Sequence, residues 1–182
     1  PCDVTWLWYL VAAIAAVVLL YWTIIVTEGT YLGTRAVVMM YDWTARRYNA
    51  IKKVRPVYEM YFLGAPLGER LPVREPRVLD VATGTGRLPA TLLDGALYGG
   101  IVIGVDHSLP MLEEAVSALG SYDGKATFIQ GDAHRLMFGD NAFDAVSCLE
   151  ALEFMRDPRA VVREMIRVLK PGGSMLVTNR VG

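Results

Sequence analysis

Val78-Leu-Asp-Val-Ala-Thr-Gly-Thr-Gly-Arg87 is the stretch that decides the fold. It opens as a short apolar run and closes in a turn with glycines at 84 and 86. Glycine takes positive φ without steric cost and lets the backbone come close to a ligand. The pattern predicts a strand over residues 77–82 that delivers a ligand-binding turn. A helix is predicted over residues 87–97.

Downstream, short apolar runs alternate with helical segments. Strands are predicted at residues 101–105, 126–130, 143–148 and 174–179. Helices are predicted at 110–119, with Ser108 as N-cap, and at 158–169, stopped by Lys170-Pro-Gly-Gly173. Strict alternation of this kind predicts an α/β fold, a Rossmann-like doubly wound parallel sheet. In such a sheet ligands bind beyond the carboxyl ends of the strands, at the switch point beside the first strand.

The chemistry falls at those ends. Asp106 ends the second strand, where a carboxylate can accept hydrogen bonds from both hydroxyls of a ribose. Gly131-Asp132-Ala133 follows the third strand, at the place for an adenine edge. A Gly-x-Gly turn is shared with dinucleotide-binding proteins, so an NAD-dependent oxidoreductase is an alternative. Two residues disfavour it. The third glycine of the dinucleotide fingerprint is replaced by Pro89. Asp80, at the strand tip, repels a pyrophosphate and suits a ligand that carries an ammonium group.

Taken together, these segments resemble the class I methyltransferases that use S-adenosyl-L-methionine (SAM). Residues 78–87 resemble their first motif, Gly104-Val-Asp-His-Ser-Leu-Pro-Met-Leu-Glu-Glu-Ala115 the second and Gly131-Asp-Ala133 the third. Phe143-Asp-Ala-Val-Ser-Cys148 resembles the fourth strand, and Arg167-Val-Leu-Lys-Pro-Gly-Gly173 the turn before the fifth. The similarity is to the branch that methylates quinones, sterols and other small molecules. Members often carry an upstream helix of the form Tyr-Asp-x-x-Ala-x-x-Tyr, matched here by Tyr41 to Tyr48.

The resemblance implies that SAM is held by Asp80, Ala82, Thr83, Gly84 and Gly86 of the first motif and by Asp106, His107 and Met111 of the second. It adds Asp132 and Ala133 of the third, Cys148 at the end of the fourth strand, and Tyr41 and Tyr48 of the upstream helix. Cys148 also reads as a small core residue. Glu150, after the fourth strand, is the candidate general base or substrate ligand. His134 is a weaker candidate. A base is needed only where the nucleophile must lose a proton. No metal is expected: Cys2 and Cys148 have no metal-ligand spacing.

The amino-terminal third has a different character. Apolar residues make up 53% of the 182-residue chain, and they concentrate between Asp3 and Glu28, where no charge occurs. Residues 4–26 are expected to form a transmembrane helix, with aromatic residues near both ends and basic residues following. The expected localisation is therefore single-pass membrane, with the catalytic domain cytoplasmic. Residues 34–63 are expected to be helical, stopped by Gly64-Ala-Pro-Leu-Gly68, and residues 69–76 to be a linker. That helix is read either as a cover on the next domain or the membrane surface, or as a lid over the cofactor.

The domain expectation is thus a transmembrane helix at 1–28, a juxtamembrane helical lid and linker at 29–76, and a SAM-binding domain at 77–182. The chain begins with Pro1, and the resemblance implies two further strands after the fifth. The domain is accordingly expected to be a C-terminally incomplete fragment. The function expected is a membrane-anchored methyltransferase acting on a small acceptor. Position at the membrane makes a lipid or quinone precursor the favoured partner. A non-catalytic membrane scaffold on the same fold is the third reading. A net charge of −1 and the lack of a Lys/Arg-rich tract give no reason to expect a nucleic-acid partner.

Overall fold

A computed structural model describes residues 4–23, 34–52, 55–71, 74–95, 98–120, 122 and 124–179. Five parallel strands form one sheet in the order β3-β2-β1-β4-β5: β1 Arg77–Val81, β2 Ile101–Asp106, β3 Ala126–Gln130, β4 Phe143–Leu149 and β5 Leu169–Thr178. The order reverses beside β1, as expected for a doubly wound sheet.

The alternation along β1 sorts its side chains between two cores. Leu79 and Val81 pack with Phe143, Val146 and Cys148 against Val161, Met165 and Val168 of helix α8, Pro158–Val168. Val78 points to the other face, with Val102, Ala145, and Leu88 and Leu92 of helix α6, Arg87–Leu93. Leu63 and Leu67 of the amino-terminal segment complete that second core. Helix α7, Leu109–Leu119, packs against β2 and β3. Its N-cap is Ser108, whose Oγ accepts a hydrogen bond from the Met111 N–H, as the sequence suggested.

Register brings the strand ends level. Val81 pairs with Val105 on one side and Cys148 on the other, and Asp106 pairs with Gln130. The turns of β1, β2 and β3 therefore open onto one rim.

The amino-terminal elements differ from expectation. Helix α1, Thr5–Tyr21, is 17 residues long and has no buried residue. At 1.5 Å per residue it spans roughly 26 Å, short of about 30 Å of hydrocarbon. Among the described residues no helix is long and apolar enough to cross a membrane. The transmembrane helix, the membrane partnership and the single-pass localisation are corrected accordingly. Residues 24–26 of the expected span lie outside the described residues.

The single helix expected over 34–63 is instead broken. Helix α2, Thr34–Thr44, runs into a 3-10 turn, Ala45–Arg47, and helix α3, Tyr48–Ile51. Helix α4, Pro56–Glu59, continues through a π-turn, Met60–Gly64, into helix α5, Ala65–Gly68. Gly64 is therefore no stop. Pro66 sits in the first turn of α5, directly after the π-turn. A Cβ at Gly64 would meet Thr91 Cγ2 at 2.8 Å and Met60 Sδ at 2.9 Å, so glycine lets this helix lie close on α6.

All five strands expected from the sequence are present among the described residues. β5 pairs with β4 from Ala145↔Ser174 to Leu149↔Thr178, and the five strands form one continuous sheet. The rim where the ligand is expected is built by β1–β4 and the amino-terminal helices, and it is formed without further strands.

Candidate active site

A cavity of about 450 Å³ opens at that rim, within the range of small-molecule sites. Hydrogen bonds between the turns set its floor. The Thr83 N–H donates to the Val105 carbonyl at 3.1 Å, and the Gly131 N–H to the Asp106 carbonyl at 2.9 Å. Gly84 (φ +55°) and Gly86 (φ +78°) take the left-handed conformation that the turn requires. Ala82 (φ +56°) and Glu150 (φ +49°) do so without being glycine, at the ends of the two central strands. Non-glycine residues in this region often mark functional sites.

Asp106 is anchored by the Gly84 N–H on Oδ2 and the Ser108 N–H on Oδ1, each at 2.8 Å. Burial raises its carboxyl, and these backbone donors oppose the rise. The residue lines the cavity, where its carboxylate can accept from a hydroxyl.

Of the residues proposed from sequence, Tyr41, Tyr48, Ala82, Gly84, Asp106, His107, Met111, Asp132, Ala133 and Glu150 line the cavity. Asp80, Thr83, Gly86 and Cys148 stand behind the wall. Asp80 is 2% exposed and accepts hydrogen bonds from the hydroxyls of Thr83 and Ser147, both at 2.7 Å. Burial pushes its carboxyl up to about 6. It braces the tip of β1 against β4. Gly86 packs on α7: a Cβ there would meet Leu119 Cδ1 at 2.9 Å. Cys148 is fully buried, and burial pushes its thiol up to about 12.

Glu150 lies between two cations. Arg87 Nη1 donates to Oε1 at 2.9 Å, and Lys52 Nζ is 3.6 Å from Oε2. Burial raises the Glu150 carboxyl, but Arg87 and Lys52 outweigh it and hold it below its ordinary value. A carboxylate so held is a weak proton acceptor. His134 lines the cavity with its Nδ1 2.7 Å from Asp132 Oδ1, while its Nε2 accepts from the Asp157 N–H at 3.4 Å. Both ring nitrogens are engaged within the protein.

The upstream helices cover one side. Val37, Val38, Tyr41 and Tyr48 face the cavity, and Ala45 is buried, the face expected from helical spacing. The Tyr41 ring meets Tyr48 edge-on at 5.6 Å and Phe154 at 6.0 Å. Two hydrogen bonds fasten this cover to the cofactor turns: Ser108 Oγ donates to Asp42 Oδ1, and Thr85 Oγ1 to Asn49 Oδ1 at 2.7 Å. Sequence reading missed Arg87, Asp42 and Asn49 as partners of the site. It also missed Phe154 and Met155, which line the cavity from the loop after β4. No local spacing announces contacts made across 36 to 66 positions.

The comparisons agree with this geometry. Residues 79–177 match the family model described as Methyltransferase domain. The chain belongs to this family. It carries a SAM-dependent methyltransferase domain, with SAM as cofactor, and the NAD alternative falls.

The demethylmenaquinone methyltransferase of Renibacterium salmoninarum is 42% identical over 101 residues, covering 56% of this chain and 40% of the relative. That of Deinococcus radiodurans is 35% identical over 144 residues, covering 79% of this chain and 59% of the relative. The chain thus spans about half the length of these curated relatives. Among solved structures, the [4+2]-cyclase SpnF superposes with a TM-score of 0.70 at 25% identity, covering 82% of this chain and 62% of that one.

The residues present fit SAM. Asp106 at the end of β2 is an anchored carboxylate that could receive a diol, the turn at Gly84 has open space for a close ligand, and Met111 adds an apolar lining residue.

Proposed function

We propose that this protein transfers the methyl group of SAM to a small, lipophilic acceptor of the reduced-quinone class. The observation that carries the reading is the part of the lining made by α2, α3 and the loop after β4. It is apolar and aromatic, made by Val37, Val38, Tyr41, Tyr48, Phe154 and Met155. A flat aromatic acceptor gains burial and edge contacts there. The relatives named demethylmenaquinone methyltransferases point to the same acceptor class.

SAM, when bound, supplies a methyl group already activated by its sulfonium. In this reading Asp106 holds the ribose, Ala82 and Gly84 accommodate the amino-acid arm, and Met111 and Ala133 border the adenine. Asp132 accepts from the adenine edge beside its contact with His134. Asp80, Thr83, Gly86 and Cys148 support these groups from behind. The helices α2 and α3 act as a lid that excludes water and aligns the two reactants, the main work the protein has to do in an in-line displacement. Glu150 acts as an orienting anion on the wall. Ionisation of its own ring oxygen makes the reduced quinone nucleophilic at the ring carbon; as the methyl passes from sulfur to that carbon, S-adenosylhomocysteine leaves and the carbon's proton is lost to water as the ring regains aromaticity.

The test is transfer of label from methyl-labelled SAM to a reduced naphthoquinone lacking the ring methyl. Label in the lipid extract is expected. SAM binding with label passing only to water-soluble compounds, or to nothing, would overturn the assignment of acceptor.

A further inference from the structure

Arg87 stands outside the wall of the cavity, yet its side chain ties α4 to the end of β4. Its Nε and Nη2 make a two-pronged contact with Glu59 at the end of α4, at 2.5 and 3.0 Å. Its Nη1 reaches Glu150, beyond β4, at 2.9 Å. Lys52, just after α3, reaches the same Glu150 at 3.6 Å. Arg87 itself is the first residue of α6, directly after the left-handed Gly86 of the cofactor turn.

Exposure separates this cluster from a solvated ion pair. The side chains are 25% exposed for Arg87, 10% for Glu59 and 28% for Glu150. Charges this far from water are costly, and apolar residues of similar volume would serve stability as well or better. What a guanidinium adds is geometry: a planar fork fixes the direction of both carboxylates. Glu150 has reason to need this, since its backbone is left-handed (φ +49°) and the residue lines the cavity.

We infer that Arg87 is a positioning residue that sets the amino-terminal helices in register with the end of β4, and so fixes the Glu150 carboxylate on the cavity wall. The inference rests on the assignment of SAM to this cavity. Glu59, which does not line the cavity, then acts on the cofactor through Arg87. The groups facing Glu150 among the described residues are Arg87 from α6 and Lys52 from the end of α3, with Glu59 of α4 behind Arg87. From β5, Thr178 receives the Glu150 N–H on its carbonyl and hydroxyl oxygens. Arg87 and Lys52 together hold the carboxyl low against burial, so loss of Arg87 lets it rise. A cationic cofactor binds best to the ionised form.

The experiment measures SAM affinity of the full chain by calorimetry between pH 3.5 and 8, for the wild type, Arg87→Lys, Arg87→Met and Glu59→Gln, with thermal melts as the check on folding. Arg87→Lys keeps the charge but loses the fork. It is expected to bind SAM at least fivefold more weakly at pH 8. Arg87→Met is expected to shift the acid limb of affinity upward, as a carboxylate losing an adjacent cation does. Glu59→Gln is expected to weaken binding without raising that limb, because Arg87 still faces Glu150. Variants that melt lower but keep wild-type affinity and acid limb would reduce Arg87 to a structural ion pair and overturn the inference. A wild type that binds no SAM would instead remove the assignment on which it rests.

Discussion

The hydroxyl of Ser108 joins two parts of the chain 66 positions apart: it donates to the carboxylate of Asp42 and accepts from the Met111 N–H. One side chain thus caps α7 and fastens the aromatic helix over the cavity. The two roles separate by substitution. Asp42→Ala removes the latch alone and is expected to weaken SAM severalfold with little change in melting temperature. Ser108→Ala also removes the cap, at about 1 kcal/mol, and is expected to lower both. Calorimetry and thermal melts on the pair check this; equal stability losses would deny Ser108 its capping role.

Asp80 makes stability depend on pH in an unusual direction. Burial raises its carboxyl to about 6, against hydrogen bonds from Ser147 and Thr83. The folded state then binds the proton more tightly than the unfolded state does. The contribution of this group to stability is present at low pH and is lost as pH rises through about 6. On the order of 3 kcal/mol is involved. Asp80→Asn is expected to raise the melting temperature at pH 8 and to raise it much less near pH 4.5. A variant destabilised equally at both values would show that Asp80 is not strained by its charge.

Cys148 is predicted to be inert in the native protein. Its thiol is fully buried and pushed up to about 12, and the thiolate is the reactive form. Iodoacetamide at pH 8, read by peptide mapping, is expected to modify Cys148 only in denaturant. Rapid labelling of the native chain at this position would mean that the end of β4 opens.

The two glycines of the turn are expected to fail differently. At Gly86 a Cβ would clash with Leu119 and crowd Ala115, at a left-handed φ. Gly86→Ala is therefore expected to cost about 2–4 kcal/mol of stability. At Gly84 the space is open, so Gly84→Ala is expected to cost about 1 kcal/mol but to place a methyl group where the ligand approaches. Denaturant melts and SAM titration together give the contrast; a Gly84→Ala variant that binds normally would move the ligand away from this turn.

The sheet was legible because its signals are local. Apolar runs ending in Gly84, Asp106 and Asp132 mark both the strands and their functional tips, and Pro89 separates the turn from a dinucleotide fingerprint. What failed to show was set by tertiary contact. Gly64 and Pro66 look like a helix stop, but the chain continues helical because Gly64 lies against Thr91. Asp80 looks like a ligand for an ammonium group, yet the hydroxyls of Ser147 and Thr83 turn it inward. The apolar run at the amino end suggested a span, but α1 is shorter than the hydrocarbon thickness. Glu150 looked like a base, and only its pairing with Arg87 and Lys52 shows how firmly its charge is held.

The central claim is that SAM binds at the rim through the carboxylate of Asp106. The direct test is calorimetric titration of the full chain with SAM, beside Asp106→Ala with its melting temperature checked. Binding by the wild type that falls at least tenfold in the variant, about 1.4 kcal/mol, is the predicted result. Absence of binding, or affinity unchanged by the substitution, would contradict the account.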